Sequence, residues 1–283
     1  MSRSGSLGRP IVLENPDELT EEAAKLFVES AQQASSAHDE FCVALSGGST
    51  PRPLYEKLAL PPYRDQIDWH RMQVYFSDER FVPPDSPESN FHMANEALLS
   101  KVDIPERFIH QVATVDISPA ESAELYEEGI RRVFEIGLAE IPHFDLILLG
   151  LGPDGHTASL FPGSEALDVA DRIVVANFVR KLDAWRITFT YPLINAARRV
   201  VFLVQGEDKA EVVARVWSGD TELPAARVKP TAGELLWLLD ATAAARISDV
   251  SAAREAGTTT AGDSTTDAQN SAERGIRSLE QDR

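Results

Sequence analysis

The run Phe144-Asp145-Leu146-Ile147-Leu148-Leu149 leads without a break into Gly150-Leu151-Gly152-Pro153-Asp154-Gly155-His156-Thr157-Ala158-Ser159. A short apolar run bounded by turn signals is a buried strand. A glycine-rich turn directly after it lets the backbone reverse tightly with its N–H groups exposed. In open α/β sheets ligands bind at that carboxyl end of the strands. An Asp and a His in the turn add titratable chemistry to the cradle, so the segment reads as an active site on an α/β fold.

Gly150, Gly152 and Gly155 also fit the spacing G-x-G-x-x-G. The dinucleotide reading nevertheless fails, because it needs a complete βαβ unit around the glycines. Asp154 would repel a pyrophosphate. The acidic residues about 20 positions on, Asp168 and Asp171, precede the next strand-like run at 173–176 instead of ending it.

Elsewhere, strand-like runs at 11–13, 41–45, 72–76, 144–149, 172–176, 186–191 and 200–204 alternate with helical patterns at 16–36, 51–58, 90–101, 119–137, 209–217 and 231–246. Near-continuous apolar strands in such alternation predict a mostly parallel sheet covered by helices on both faces. With no internal repeat and no linker, a single doubly wound α/β domain is expected over residues 1–248. From Asp249 onward the chain has no aromatic residue, and Val250, Ile276 and Leu279 are its only large aliphatics. Such a composition cannot offset the entropy of ordering, so 249–283 reads as a disordered acidic tail.

The tail holds seven acids against four bases, so most of the net charge of −18 belongs to the body. That sign excludes nucleic acid and anionic membranes as partners. An anionic substrate would need a local cluster of cations and N–H groups to overcome the field of the whole protein. The single cysteine, Cys42, lies in an apolar run and reads as a core thiol, which leaves no disulfide framework and no multi-cysteine zinc site. No apolar stretch reaches membrane-spanning length, and residues 1–6 lead into no signal-like core, so a cytoplasmic protein is expected.

Two further polar turns follow strands. Ser46-Gly47-Gly48-Ser49-Thr50-Pro51 ends the run 41–45, with Thr50 placed as an N-cap and Pro51 as a first helical residue. Its hydroxyls and N–H groups suit an anion, ideally a phosphate. It lacks the Gly-Lys-Ser/Thr ending of a nucleotide-triphosphate loop and does not match the nucleophile elbow G-x-S-x-G. Ser77-Asp78-Glu79-Arg80 ends the run 72–76 and continues into Glu88-Ser89-Asn90. Parallel strands would bring all three turns to one edge of the sheet.

These blocks, together with Leu160-Phe161-Pro162, Arg186-Ile187-Thr188 and Gly206-Glu207-Asp208-Lys209-Ala210, resemble the 6-phosphogluconolactonase family across residues 41–210. The Asp-Gly-His block is shared with a sister family, glucosamine-6-phosphate deaminase. In that branch the block ends Asn-Glu-Pro, its Glu assisting a histidine in ring opening; here Phe161 precedes Pro162 and cannot act as acid or base. The resemblance implies hydrolysis of 6-phosphogluconolactone to 6-phosphogluconate in the oxidative pentose phosphate pathway, with no metal and no cofactor.

Lactone hydrolysis needs an activated water, and a histidine can take and return its proton near neutral pH. His38, His70, His92, His110 and His143 lie in helix or loop contexts with surface or packing roles, which leaves His156 as general base. Either Asp154 or Asp78 could orient it. The phosphate is expected on Gly47, Gly48, Ser49 and Thr50, with Arg80, Arg186 and Lys209 as counter-charges and Asn90 as a further binding residue. Arg180 and Lys181 read as solvated charges. The expected partner is a small sugar-phosphate lactone, acted on by a monomer or small homo-oligomer. The alternatives are a deaminase-like isomerase, or a non-catalytic sugar-phosphate-binding regulator. For the regulator, the stretch before Ile11 is too short for a helix-turn-helix and the charge has the wrong sign.

Overall fold

Six parallel strands form the central sheet: β1 (Arg9–Leu13), β2 (Phe41–Leu45), β3 (Met72–Phe76), β5 (Leu146–Leu149), β8 (Arg199–Val204) and β9 (Glu234–Asp240). Their spatial order is β1-β9-β8-β5-β2-β3. A smaller antiparallel sheet holds β4 (Asp78–Arg80), β7 (Ala184–Phe189) and β6 (Val174–Val179), in that order. The computed structural model describes residues 7–247, so the tail expected at 249–283 lies outside the described residues. Among the described residues, no helix is long and apolar enough to cross a membrane.

Every residue of β2, β3 and β5 is buried, which is why these strands read as unbroken apolar runs. On one face pack α1 (Pro16–Ala37), α2 (Arg52–Leu58) and α3 (Asn90–Ala97), with Phe27, Leu54 and Ala94 against Phe41, Val43, Val74 and Leu146. The other face is covered by α4 (Pro119–Val133), the small sheet and α6 (Ala210–Trp217), while the single-turn α5 (Tyr191–Ile194) links β7 to β8. Here Tyr126 of α4 stacks on Phe189, and Trp217 of α6 stands edge-on to Trp237 of β9. Helix starts are set locally. The Asn15 side chain accepts from Glu18 N–H ahead of Pro16, and Ser118 with Glu121 forms a reciprocal capping box on α4.

The expected doubly wound α/β sheet is present, with three corrections of detail. The helix expected at 231–246 is β9, because Leu235–Leu239 is buried on both faces between β1 and β8. The runs expected at 172–176 and 186–191 pair antiparallel with each other, outside the main sheet. Residues 78–80, read as a loop, form β4 against β7.

Within the main sheet the chain steps from β2 outward to β3, then returns to place β5, β8 and β9 on the other side of β2. The direction of winding therefore changes between β2 and β5. A crevice opens outside the carboxyl ends of the strands at such a point, and it is where the Ser46 and Gly150 turns lie.

Candidate active site

A cleft of about 340 Å³ lies at this switch point, lined by residues 46–51, Asp78, Arg80, Asn90, residues 150–152, His156, Ala158, Asp208 and Lys209. All three turns flagged from sequence, and the Lys209 block, converge on it. A larger cavity of about 530 Å³ opens at the opposite, amino-terminal edge of the sheet around His38, Cys42, Asp145 and Arg198. Its buried Asp145 is already engaged by His38 Nε2 at 2.9 Å, Cys42 N–H at 2.9 Å and Arg198 Nε at 3.2 Å. Position and spent polar groups both favour the smaller cleft as the site.

The Gly150–Leu160 turn is built to present His156. Gly152 N–H donates to His156 O at 2.9 Å, Gly155 N–H to Gly152 O at 3.0 Å, and Thr157 Oγ1 to Gly150 O at 2.9 Å. A β-carbon on Gly152 would lie 2.0 Å from Nδ1 and Cε1 of His156, so the ring occupies the space that glycine vacates. His156 Nδ1 meets Asp154 Oδ1 at 2.5 Å, and its ring stacks on Phe161 with centroids 4.1 Å apart. Asp154 therefore bonds the ring and Asp78 does not. The other Asp154 oxygen accepts from Lys181 Nζ, so Lys181 is an ion-pair partner and not the solvated charge expected, whereas Arg180 is exposed.

Burial pushes the His156 imidazole below its ordinary range, and the Lys181 charge acts in the same direction, against the opposing pull of Asp154 and Asp78. Burial would raise Asp154, but the Lys181 and His156 contacts outweigh it and bring its carboxyl down to about 2. Near neutrality the pair is thus a neutral imidazole beside a carboxylate. Asp154 fixes the proton on Nδ1, which leaves Nε2 as the acceptor.

Asp78 is buried and accepts from Ser159 Oγ at 2.7 Å. Its neighbour Glu79 points the other way. Glu79 accepts from Arg80, Asn90 and Phe91 N–H groups at 2.7, 2.7 and 2.8 Å and from Ser89 Oγ at 3.0 Å, despite burial that raises its pKa. This carboxylate ties β4 to the start of α3 and so places Asn90, whose Nδ2 donates to Asp78 O at 2.8 Å. Asn90 in turn fills the space beside Gly47, where a β-carbon would meet its amide at 1.7 Å.

Tyr55 of α2 anchors the first turn, its hydroxyl donating to Ser46 O and accepting from Ser46 N–H. Pro51, not Thr50, stands at the N-cap of α2, and no side chain caps it. Among the described residues, the N–H groups of Gly47, Gly48, Ser49 and Thr50 donate to no protein acceptor. Lys209 reaches the cleft from the turn after β8, which Asp240 at the end of β9 holds by accepting from Gly206 N–H. Among the described residues, Lys209 pairs only with Asp208, at 3.3 Å. Arg186 is not among the residues lining the cleft. It lies directly across the β4–β7 ladder from Arg80, and burial together with that neighbour lowers its pKa. Like charges opposite one another in a ladder repel, so the pair favours an anion nearby.

Sequence reasoning missed Glu79, Tyr55, Ser159, Lys181 and Asp240. None carries a local signal, since each acts on a residue at least nine positions away.

The family described as glucosamine-6-phosphate isomerases/6-phosphogluconolactonase matches residues 14–237. This chain belongs to that family. The chain is 44% identical over 240 residues to a protein of Nostoc sp. named 6-phosphogluconolactonase, covering 84% of this chain and 97% of that one. A Synechocystis protein of the same name is 43% identical over 232 residues, covering 81% and 94%. Among solved structures, 6-phosphogluconolactonase from Trypanosoma cruzi superposes with a TM-score of 0.74 at 33% identity, covering 85% of this chain and 97% of that chain. The family match takes in all three polar turns and the Lys209 block.

Proposed function

We propose that this chain hydrolyses 6-phospho-D-glucono-1,5-lactone to 6-phospho-D-gluconate, as the second step of an oxidative pentose phosphate pathway. The observation that carries the reading is the neutral His156 held by Asp154 at the rim of a cleft that Arg80 and Lys209 reach, with Phe161 where the deaminase branch has its Glu. His156 Nε2 takes a proton from water as the oxygen attacks the lactone carbonyl. Asp154 stabilises the imidazolium formed, and the same nitrogen returns the proton to the leaving ring oxygen. The phosphate rests on the free N–H groups of Gly47–Thr50 with Lys209 and Arg80, Arg186 reinforcing Arg80 from behind. Asn90 and Asp78 order the wall between phosphate and base. No metal or cofactor enters this mechanism.

Two expected results test it. Because catalysis needs neutral His156 and burial lowers its pKa, the acid limb of kcat/KM should fall below pH ~6.5, the ordinary histidine value. Activity is then lost only as pH drops through that limb, and a limb well above 6.5 in a pH–rate profile would contradict it. Lys209→Ala should raise KM for the phosphorylated lactone by about 10–100-fold, the loss of one hydrogen bond to a charged group. Gluconolactone, which lacks the phosphate, should be a poor substrate and indifferent to the change. An equal loss on both lactones would remove Lys209 from the phosphate site.

A further inference from the structure

The tip of the β6–β7 hairpin reaches the catalytic turn from a separate sheet. It turns through residues 180–182, with Asp183 in the left-handed region at φ 48°. From this tip Lys181 makes two contacts that a solvated lysine would not. Its Nζ pairs with Asp154 Oδ2, and it stands 4.7 Å over the centre of the Phe161 ring. The far face of the same network is His156, bonded through Nδ1 to Asp154 Oδ1 and stacked on Phe161. Asp154 thus divides its oxygens between base and lysine, while Phe161 contacts both the lysine cation and the imidazole. The hairpin is held in place for this, since Asn177 Nδ2 donates to Ser159 O at 2.8 Å and Thr188 Oγ1 accepts from Ser159 N–H at 3.1 Å.

We infer that Lys181 is a positioning residue for the reaction, which pins Asp154 and Phe161 against His156 and keeps the base in its neutral, proton-accepting form. The inference rests on the lactonase reading of the site. Its physics is simple. An ammonium beside the imidazole opposes a second positive charge there, and by holding Asp154 at one oxygen it fixes the other on Nδ1. The further charges facing His156 are Asp78 and Arg80 from β4 and Asp208 with Lys209 from the turn after β8. Lys181 is the cation bonded to the carboxylate that orients the ring. Phosphate-binding lysines act on KM. Lys181 acts on the titration of the base.

The test compares wild type with Lys181→Met, which keeps the apolar stem over Phe161 but removes the charge, and with Lys181→Arg. Half the Lys181 side chain is exposed at a hairpin tip, so all three should fold with matching thermal midpoints. For a unit charge removed at this range, the acid limb of kcat/KM in Lys181→Met should move up by about 0.5–1.5 pH units. Below both limbs that is a loss of about 3–30-fold, which narrows as pH rises. KM for the phosphorylated lactone should change little, and Lys181→Arg should restore the limb. Side-chain NMR of the His156 imidazole should report the same upward shift without reference to turnover. A His156 titration identical in wild type and Lys181→Met overturns the role of Lys181, whatever the rates are. So does a pH-independent rise in KM confined to the phosphorylated lactone, which marks a phosphate contact. Wild-type protein that fails to hydrolyse the lactone while its His156 titration responds to Lys181→Met overturns the lactonase reading instead.

Discussion

His156→Ala is expected to lower kcat on 6-phosphogluconolactone by about 10²–10⁴-fold with only a modest change in KM, the usual weight of a general base. The ring lies against Gly152 and Phe161 at the rim of the cleft and carries no backbone of its fold beyond the turn. Removing it leaves the Gly152–His156 backbone hydrogen bond and the Thr157–Gly150 contact intact. The variant should therefore fold, bind the phosphate and fail in the chemical step. Turnover near the wild-type rate by a correctly folded His156→Ala protein would exclude the residue from the mechanism.

A methyl group at Gly152, against the imidazole of His156, should do almost as much harm. Gly152 has no positive φ, so its backbone accepts alanine without strain. The new β-carbon would instead stand 2.0 Å from the imidazole, well inside any real contact. The side chain is the part that can yield, and it must swing off Asp154 to do so. Misplacing a catalytic group by about an ångström costs on the order of 10²-fold, so Gly152→Ala should lose kcat at that scale with its thermal midpoint nearly unchanged. A large fall in the midpoint would show that the glycine serves the fold of the turn more than the position of the ring.

The two tests differ in how visible their residues were beforehand. His156 and the glycines around it stood out because strand, turn and titratable group are contiguous, and contiguity is what a linear reading detects. Arg80 and the Gly47–Thr50 turn were placed by a topological argument, since parallel strands send their carboxyl ends to one edge, whereas Lys209 came from the resemblance of its block to the family. Lys181 and Glu79 were beyond reach. Lys181 meets Asp154 only because an antiparallel hairpin folds back over 27 residues, and Glu79 looks like its charged neighbours until its four hydrogen bonds are seen. The segment 231–246 failed for a different reason. Leu235-Leu236-Trp237-Leu238-Leu239 is apolar at every position, so its periodicity cannot separate a doubly buried strand from a buried helix.

That same strand has a consequence for how the molecule assembles. β9 lies between β1 and β8, so the first strand along the chain gains its ladder only from the ninth, with Arg9 opposite Leu236 and Leu13 opposite Asp240. Contacts of such long sequence separation are slow to form, because most of the chain must close before they reward it. The end of β9 also carries Asp240, which fastens the turn bearing Lys209. On a ribosome, then, the histidine turn and its carboxylate emerge well before the strand that fastens the turn bearing Lys209. The turn that carries Lys209 is therefore among the last parts of the cleft to be fixed, because residues 234–240 must be made and paired before Asp240 can hold Gly206.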